Sequence, residues 1–306
     1  MAGALGFCLA RANSCTVAAV GRLVHERRWD WLLGLASAAA SGGLALFVLA
    51  SLPGEAFALP ERRALGLAPV AGGILLGLGA TINRACMLGS ISRLSEGDGT
   101  YLLTLAGLAL SLVVAPQLYI LPQATEGQAS ADVLAEPATP VFGLAFLLVL
   151  GWAAMRVRIG RNATLRYLFA VGLIGAALFS GNPQWSYLAA LQRGTQGTFL
   201  QSQTAADLAA IAIFAGAALS SWIAGRFSAR RPTIYRAAGG LAGGLLMGLG
   251  AQTVPGGNDA LLLWTIPGAA LYGLVAYAVM IATILVCLWL YKTAVGRANR
   301  QATGAS

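Results

Sequence analysis

Charge is scarce in this sequence: 10% of the 306 residues are charged and 58% are hydrophobic. With a mean hydropathy of +0.73, the chain is too apolar for one soluble core, and several stretches of about 20 residues carry no charge at all. Short alternating strands are also lacking. Long Leu, Ala and Gly runs stand in their place, which excludes a transmembrane barrel in favour of helices. Histidine occurs once, at His25, and Cys8, Cys15, Cys86 and Cys287 show neither CxxC nor Cys/His spacing. Neither a zinc site nor a disulfide framework follows from such a set. No ATP, metal or cofactor motif is present, so no cofactor is expected. The glycine strings lack the preceding strand and the following lysine or serine of a phosphate loop, and suit close helix packing instead. The charge that exists is lopsided, at +9. It sits in short basic clusters between apolar segments, without interleaved aromatics, which is the pattern of cytoplasmic loops and not of a nucleic-acid surface. The N-terminus lacks a charged start, and Ala12, Asn13 and Ser14 make a poor lipobox before Cys15, so it reads as mature protein.

What is present centres on residues 73–99, GILLGLGATINRACMLGSISRLSEGDG, where an apolar glycine-rich segment runs into a polar knot at Asn83, Arg84 and Cys86. At membrane depth, irregular backbone is tolerated only when buried in protein or lining a wet cavity, and polar residues there are site candidates. The string recurs. Residues 244–259, GLLMGLGAQTVPGGND, align without gaps to residues 73–88 at an offset of 171, with six of the first eight positions identical and Gly257 standing where Cys86 stands.

Eight spans are expected, at about 31–51, 67–83, 100–121, 140–155, 167–181, 205–225, 237–254 and 267–291. Residues 5–20 read as a helical or re-entrant lead-in, too short to span comfortably. Residues 182–204 are polar yet hold Trp185, Tyr187 and Phe199, and are expected to lie in the interface or dip into the membrane. Placing basic clusters inside puts 122–139, with Glu126, Asp132 and Glu136, outside as the boundary between halves. It also makes 67–121 and 237–291 run in opposite directions. The fold class is therefore an all-α polytopic membrane protein in the lipid bilayer, with about eight transmembrane helices, short re-entrant or half helices and two inverted repeats. The expected division is a first half over 1–130, connecting helices over 131–194 and a second half over 195–306. Inverted repeats with broken, polar centres characterise secondary transporters, whose site lies between the repeats near the midplane.

The motifs GLGATINRACMLGSISRLSEGD, the early Gly6-Phe7-Cys8 and GGLLMGLGAQTVPGGNDALLLWTIPG resemble the YeeE/YedE family of bacterial inner-membrane proteins, over most of the chain. The resemblance implies a multi-pass protein of the bacterial cytoplasmic membrane that takes up thiosulfate or a related sulfur compound and is not an enzyme. It also implies cysteines that hand the anion along a narrow path, which fall here on Cys86 and Cys8. Gly257 departs from the pattern, since a second central cysteine is expected there.

Such an anion needs donors for its oxygens and a soft partner for its terminal sulfur. Cys86 supplies a polarizable thiol, the helix starts after Cys86 and Gly256 supply backbone N–H groups, and Asn83 and Asn258 supply side-chain donors. The expected path is thus Cys86, Cys8, Asn83, Gly256, Gly257 and Asn258. Arg84 and Arg93 flank it as a mouth, attracting anions or pairing with Glu96 and Asp98. Cys15 is a weaker candidate than Cys8, and Cys287 reads as packing. Asp259, awkward beside an anion, is read as a helix cap or as a neutral acid. A cytoplasmic sulfur-carrier partner stays open, as do two rivals to transport: a membrane thiol enzyme using Cys8 and Cys86, and a non-transporting subunit.

Overall fold

The computed structural model describes residues 1–51, 58–61, 63, 65–117, 138–158 and 163–302, which form thirteen α-helices and no strand. In order these are α1 (Ala2–Ala12), α2 (Thr16–Glu26), α3 (Asp30–Ala50), α4 (Leu67–Asn83), α5 (Met87–Ser95), α6 (Thr100–Val114) and α7 (Ala138–Arg158). They continue with α8 (Ala163–Gly181), α9 (Tyr187–Thr195), α10 (Thr204–Ile223), α11 (Ile234–Thr253), α12 (Asn258–Ala260) and α13 (Leu271–Ala302). A π-helical stretch, Leu261–Thr265, continues α12.

Six stretches are long and apolar enough to cross a membrane, or seven when α11 and the α12 stretch, bent by 55°, count as one span. Thr100–Val114 and Gly143–Ala153 are shorter apolar helices. Each of the eight expected spans coincides with one of these. The lead-in differs: Ala2–Glu26 is a 25-residue stretch long enough to cross. Its basic residues are compatible with a span because Arg11 falls in the last turn of α1, over the Phe7 ring at 5.4 Å, and Arg22 and His25 fall in the last turns of α2, Arg22 over the Trp31 ring at 4.2 Å, where the helix dipole favours cations. Residues 122–137 of the expected acidic loop, with Glu126, Asp132 and Glu136, lie outside the described residues.

Four of the spans are broken, and each break has a local cause. α4 runs without charge to Arg84, which turns to φ 61° and ψ 14°, a left-handed conformation that no β-branched residue would accept easily; Cys86 then extends at φ −76° and ψ 177° and becomes the N-cap of α5. α1 ends the same way at Asn13 (φ 48°), with Cys15 extended ahead of α2. α11 ends at Val254; Gly256 takes φ +114° and Gly257 is the N-cap of α12. α8 gives way to a 3₁₀ turn at Pro183–Trp185, and Ser186 caps α9 by accepting from Ala189 N–H at 3.3 Å. These four N-caps form two pairs under the shift of 171, Cys15 with Ser186 and Cys86 with Gly257.

Helix packing obeys the same shift. A Cβ on Gly79 would lie 2.7 Å from the Gly243 carbonyl oxygen, and one on Gly250 would lie 2.8 Å from that of Gly72. Gly79 maps onto Gly250 and Gly72 onto Gly243, so each contact is the image of the other. Because the early residue of α4 meets the late residue of α11, these two copies of one helix run antiparallel, and the repeats are inverted. Around them, Gly73 and Gly77 admit α13 at Ala276 and Met280, while their images Gly244 and Gly248 admit α6 at Thr104 and Ser111. Farther out, Gly6 and Gly216 let α1 cross α10, and Gly42 and Gly172 let α3 cross α8. The shift carries α3 onto α10 and α1 onto the second half of α8.

The polar segment at 182–204 is anchored to protein. Arg193 on α9 donates from Nε to Asp207 on α10 at 2.7 Å and from Nη2 to the Gln184 carbonyl at 3.1 Å; the other Asp207 oxygen accepts from Leu200 N–H at 2.8 Å. Both ion-pair partners are buried, and so are Trp185 and Tyr187. Trp29 and Trp222 remain exposed at helix ends, and Trp289 is exposed toward the end of the Leu271–Ala294 span, where aromatic belts belong.

The glycine contacts set a test. Gly79→Leu should destabilise the folded protein by roughly 1–3 kcal/mol or more through overpacking, whereas Gly194→Ala, which has open space around it, should be close to neutral. Thermal unfolding of the detergent-solubilised protein, followed by loss of the monodisperse peak, checks the pair; equal midpoints would mean that α4 and α11 do not need their close approach.

Candidate functional site: the meeting point of four helix breaks

The two inverted halves meet at residues 86–87 and 257–258. The backbone N–H of Met87 donates to the Asn258 side-chain oxygen at 3.0 Å, and a Cβ on Gly257 would collide with the Met87 thioether. Met87 and Asn258 are images of each other under the 171 shift, so the pseudo-twofold passes between them. Cys86 is fully buried, and its Sγ accepts the N–H of Thr16, the first residue of α2, at 3.3 Å. The Thr16 hydroxyl in turn shares a 2.9 Å hydrogen bond with Tyr277 on α13.

The thiol brought against Cys86 is Cys15. A Cβ on Gly89 would lie 2.5 Å from the Cys15 sulfur, and the two thiols interact directly. Cys8 sits half-buried on α1 and packs against the core. Cys287 is likewise half-buried on α13. The early cysteine at the centre is therefore the one that caps a broken helix.

On the other side of Met87 lies a group of buried polar atoms without hydrogen-bond partners: the Tyr187 hydroxyl, the Asn258 amide nitrogen and both Asp259 oxygens. Tyr187 is within electrostatic reach of Asp259 and Cys86. The starts of α2, α5, α9 and α12 thus converge, each presenting N–H groups and the positive end of its dipole. Among the described residues, no lysine or arginine is hydrogen-bonded or ion-paired to Cys15, Cys86, Tyr187, Asn258 or Asp259. The centre can attract an anion without a full positive charge that would hold it.

Asn83 has a different task from the one expected. Its amide nitrogen donates to the Ala85 carbonyl at 2.8 Å and to the Ser90 hydroxyl at 3.0 Å, while its oxygen accepts from Thr104 at 2.6 Å. With both amide hydrogens engaged, it braces α4, α5 and α6 around the break and has no donor left for a ligand.

A cavity of about 710 Å³ opens beside the second-half breaks. Ser186, Gly256 and Ala260 line it together with Gln184, Gln192 and Gln252, and Arg63 stands in its wall, paired to Glu61 at 2.7 Å. Phe179 packs on Trp185 at 4.5 Å and on Trp264 at 5.7 Å along its apolar side.

The other face, where the basic segments gather, is closed by ion pairs. Glu96 meets Arg93 at 3.6 Å and Arg226 at 3.5 Å, and Arg226 also donates to the Ala10 carbonyl at 2.8 Å. Asp98 accepts from Arg236 at 2.8 Å and from Thr100 N–H at 3.1 Å, while the backbone at 96–99 pairs with 228–230. Arg84 is exposed and takes no part in this network. Expected partners thus appear for Arg93 and Glu96, but Asp98 answers to Arg236 across the pseudo-symmetric interface.

A polytopic helical protein whose inverted halves meet at broken helices around buried thiols belongs, as a class, with the secondary-transporter architectures. A family model described as sulphur transport matches residues 11–159 and again 118–286. The chain belongs to this sulphur transport family, the one to which the YeeE/YedE resemblance points. No curated protein matches the chain.

The sequence did not point to Tyr187, Thr16 and Tyr277 as neighbours of Cys86 and Asp259, and it ranked Cys15 below Cys8. One available signal was the shift itself, which pairs Cys15 and Thr16 with Ser186 and Tyr187 at the head of two half helices.

The closed face carries its own test. Burial raises the Asp98 carboxyl, but the Thr100 hydrogen bonds and the Arg236 charge outweigh it and hold it below the ordinary carboxylate range. Its contribution is therefore complete above the unfolded value of about 4 and is lost as pH falls through the lower folded value. Limited proteolysis of the 224–233 connection should rise only in acid below that range for the wild type, and should already be high at pH 7 for Asp98→Asn. Identical digestion of both proteins at pH 7 would show that the ion pair does not hold the two connections together.

Proposed function

We propose that this membrane protein carries a small sulfur-containing anion, with thiosulfate the first candidate, through the meeting point of its four broken helices. The observation that carries the reading is the juxtaposition of two buried thiols, Cys15 and Cys86, with converging helix starts at the centre of an inverted repeat. Thiosulfate presents sulfonate oxygens to N–H and O–H donors and a soft terminal sulfur to a thiol. A thiol contact without a fixed cation is weak enough to release it. The path runs from the 710 Å³ cavity past Gly256, Gly257 and Asn258 to Cys86 and Cys15. Cys8 stands on α1 farther along, and Arg84, Arg93, Glu96 and Asp98 form the opposite mouth. The family supports transport of a sulfur compound; the choice of thiosulfate rests on the chemistry of the centre.

The basic face is assigned to the cytoplasm by the excess of arginine there, and the membrane to the bacterial inner membrane by the family resemblance. A sulfur-carrier protein, if one receives the cargo, would dock on that face. Within the chain, α8 and α9 belong with the second half, which then begins near residue 163 instead of 195. The support is the 171 shift, which takes α1 and α2 onto them and leaves α7 as the connector.

The same thiol pair favours one alternative, a membrane thiol enzyme. There a cysteine thiolate would attack the terminal sulfur of thiosulfate, forming a persulfide and releasing sulfite, with the neighbouring thiol placed to resolve it. Purified protein in vesicles separates the two. Uptake of unchanged, labelled thiosulfate supports carriage; sulfite release matched to protein-bound persulfide supports the enzyme.

Within the carriage reading, Cys86→Ala and Cys15→Ala should each slow uptake by roughly one to two decades, the effect of losing about 1–3 kcal/mol of stabilisation at a pre-organised site. Cys287→Ala should be nearly silent. Uptake rates normalised to folded protein in the vesicles check this; equally mild losses at all three positions would reduce Cys86 and Cys15 to packing.

A further inference from the structure

We propose that Asp259 is a proton carrier, so that each anion crosses together with a proton; this rests on the transport reading above. Asp259 is 1% exposed, and neither carboxyl oxygen has a hydrogen-bond partner. The N–H groups of Asp259 and Ala260 at the start of α12 lie near the carboxyl without completing a hydrogen bond; burying a carboxylate with no cation and no well-formed donor is costly, which favours the neutral acid. Its surroundings offer no countercharge. α5 presents the Cys86 thiol and α9 presents the Tyr187 hydroxyl, both within its electrostatic reach. Behind Cys86 stand Cys15 and Tyr277. The charged groups of the neighbouring cavity, Glu61 and Arg63, face each other at 2.7 Å, and Arg193 of α9 is engaged by Asp207 and Gln184.

Position makes the acid useful. Gly256 and Ala260, three residues before it and one after, line the cavity, so Asp259 sits in the wall between that space and the thiols without itself reaching the cavity surface. A second observation independently marks the place as built for a polar visitor: the Tyr187 hydroxyl and the Asn258 amide nitrogen are also buried, unpartnered donors. With Asp259 protonated, three donors converge where an anion leaves the cavity; with Asp259 ionised, a fixed negative charge stands in its way. The acid therefore gates passage by its own protonation. It takes a proton from the cavity side, lends its O–H to an anion oxygen and releases the proton on the side where the anion leaves. One proton enters and one leaves per cycle, and no bond to the anion is made. The coupling also has an electrical purpose, because an inside-negative membrane opposes a dianion and a co-transported proton cancels one of its two charges.

The test uses the full chain in vesicles containing a trapped pH dye, with ³⁵S-thiosulfate outside and the membrane potential clamped at zero. Wild type should acidify the lumen in step with uptake. One proton per anion gives about tenfold accumulation for each inward pH unit, abolished by a protonophore. Asp259→Asn should slow counterflow between equal thiosulfate pools but not stop it, while losing gradient-driven accumulation and lumen acidification entirely. Should the Asn variant fail to fold, Asp259→Glu keeps a titratable group and should accumulate thiosulfate with a displaced pH profile; an unchanged profile overturns the proposal. Net gradient-driven uptake by wild type without acidification of the lumen, or an Asn variant that still accumulates, overturns the proton carrier alone. Absence of counterflow in wild type overturns the transport reading and the carrier with it.

Discussion

One hydrogen bond sits where everything else converges: the backbone N–H of Met87 donates to the Asn258 side chain. Each broken helix has abandoned the hydrogen bonds that make helices tolerable in lipid, and the first N–H groups of a half helix have no partners of their own. Here one half satisfies the other. The arrangement requires the two copies to approach within backbone contact, which only the glycine runs at 72–79 and 243–250 permit. Enlarging those glycines would push apart α4 and α11, and with them the breaks, the thiols and the cavity floor.

The part of the design that was legible in the sequence is the part under this steric demand. Glycines at four matching positions cannot drift without loss of contact, so the repeat at 73–88 and 244–259 remained readable and fixed the inverted topology. The breaks were legible for a similar reason, since Arg84 and the Pro255-Gly256-Gly257 run cannot continue an apolar helix. The other pair of broken helices was not legible. Its images are Cys15 and Ser186, then Thr16 and Tyr187, which share no side chain; what the fold conserves there is an N-cap geometry that several residue types supply. Cys8 drew attention through its motif, while Cys15, whose neighbourhood is set by the turn at Asn13, acquires its meaning only when α2 is seen to start beside Cys86. Asn83 shows the converse: a polar residue at membrane depth whose hydrogen bonds serve the frame.

The two halves have diverged in chemistry while keeping their geometry. The first half places sulfur at both of its N-caps, Cys15 and Cys86, close-packed and fully enclosed. The second places oxygen and a bare backbone there, Ser186 and Gly257, next to open space and to an unpaired acid. A site assembled this way would offer soft contact on one side and hard donors on the other, which is what the proposed cargo, sulfide-like at one end and sulfonate-like at the other, would require. In a perfectly symmetric centre the two ends would be indistinguishable.

Were the proposed carriage to work by alternating access, the cavity open at one face would have a twin at the other. Inverted halves can exchange conformations, and the 171 shift then names the walls of the space that would open at the basic face as the first one closes. Ser186 becomes Cys15, Pro255 becomes Arg84, Trp264 becomes Arg93 and Tyr272 becomes Tyr101. An aromatic, amide-lined antechamber would give way to one lined by a thiol and two guanidinium groups, which would draw an anion off the centre and out. Arg84, exposed and outside every ion pair found among the described residues, is placed to be one of those walls.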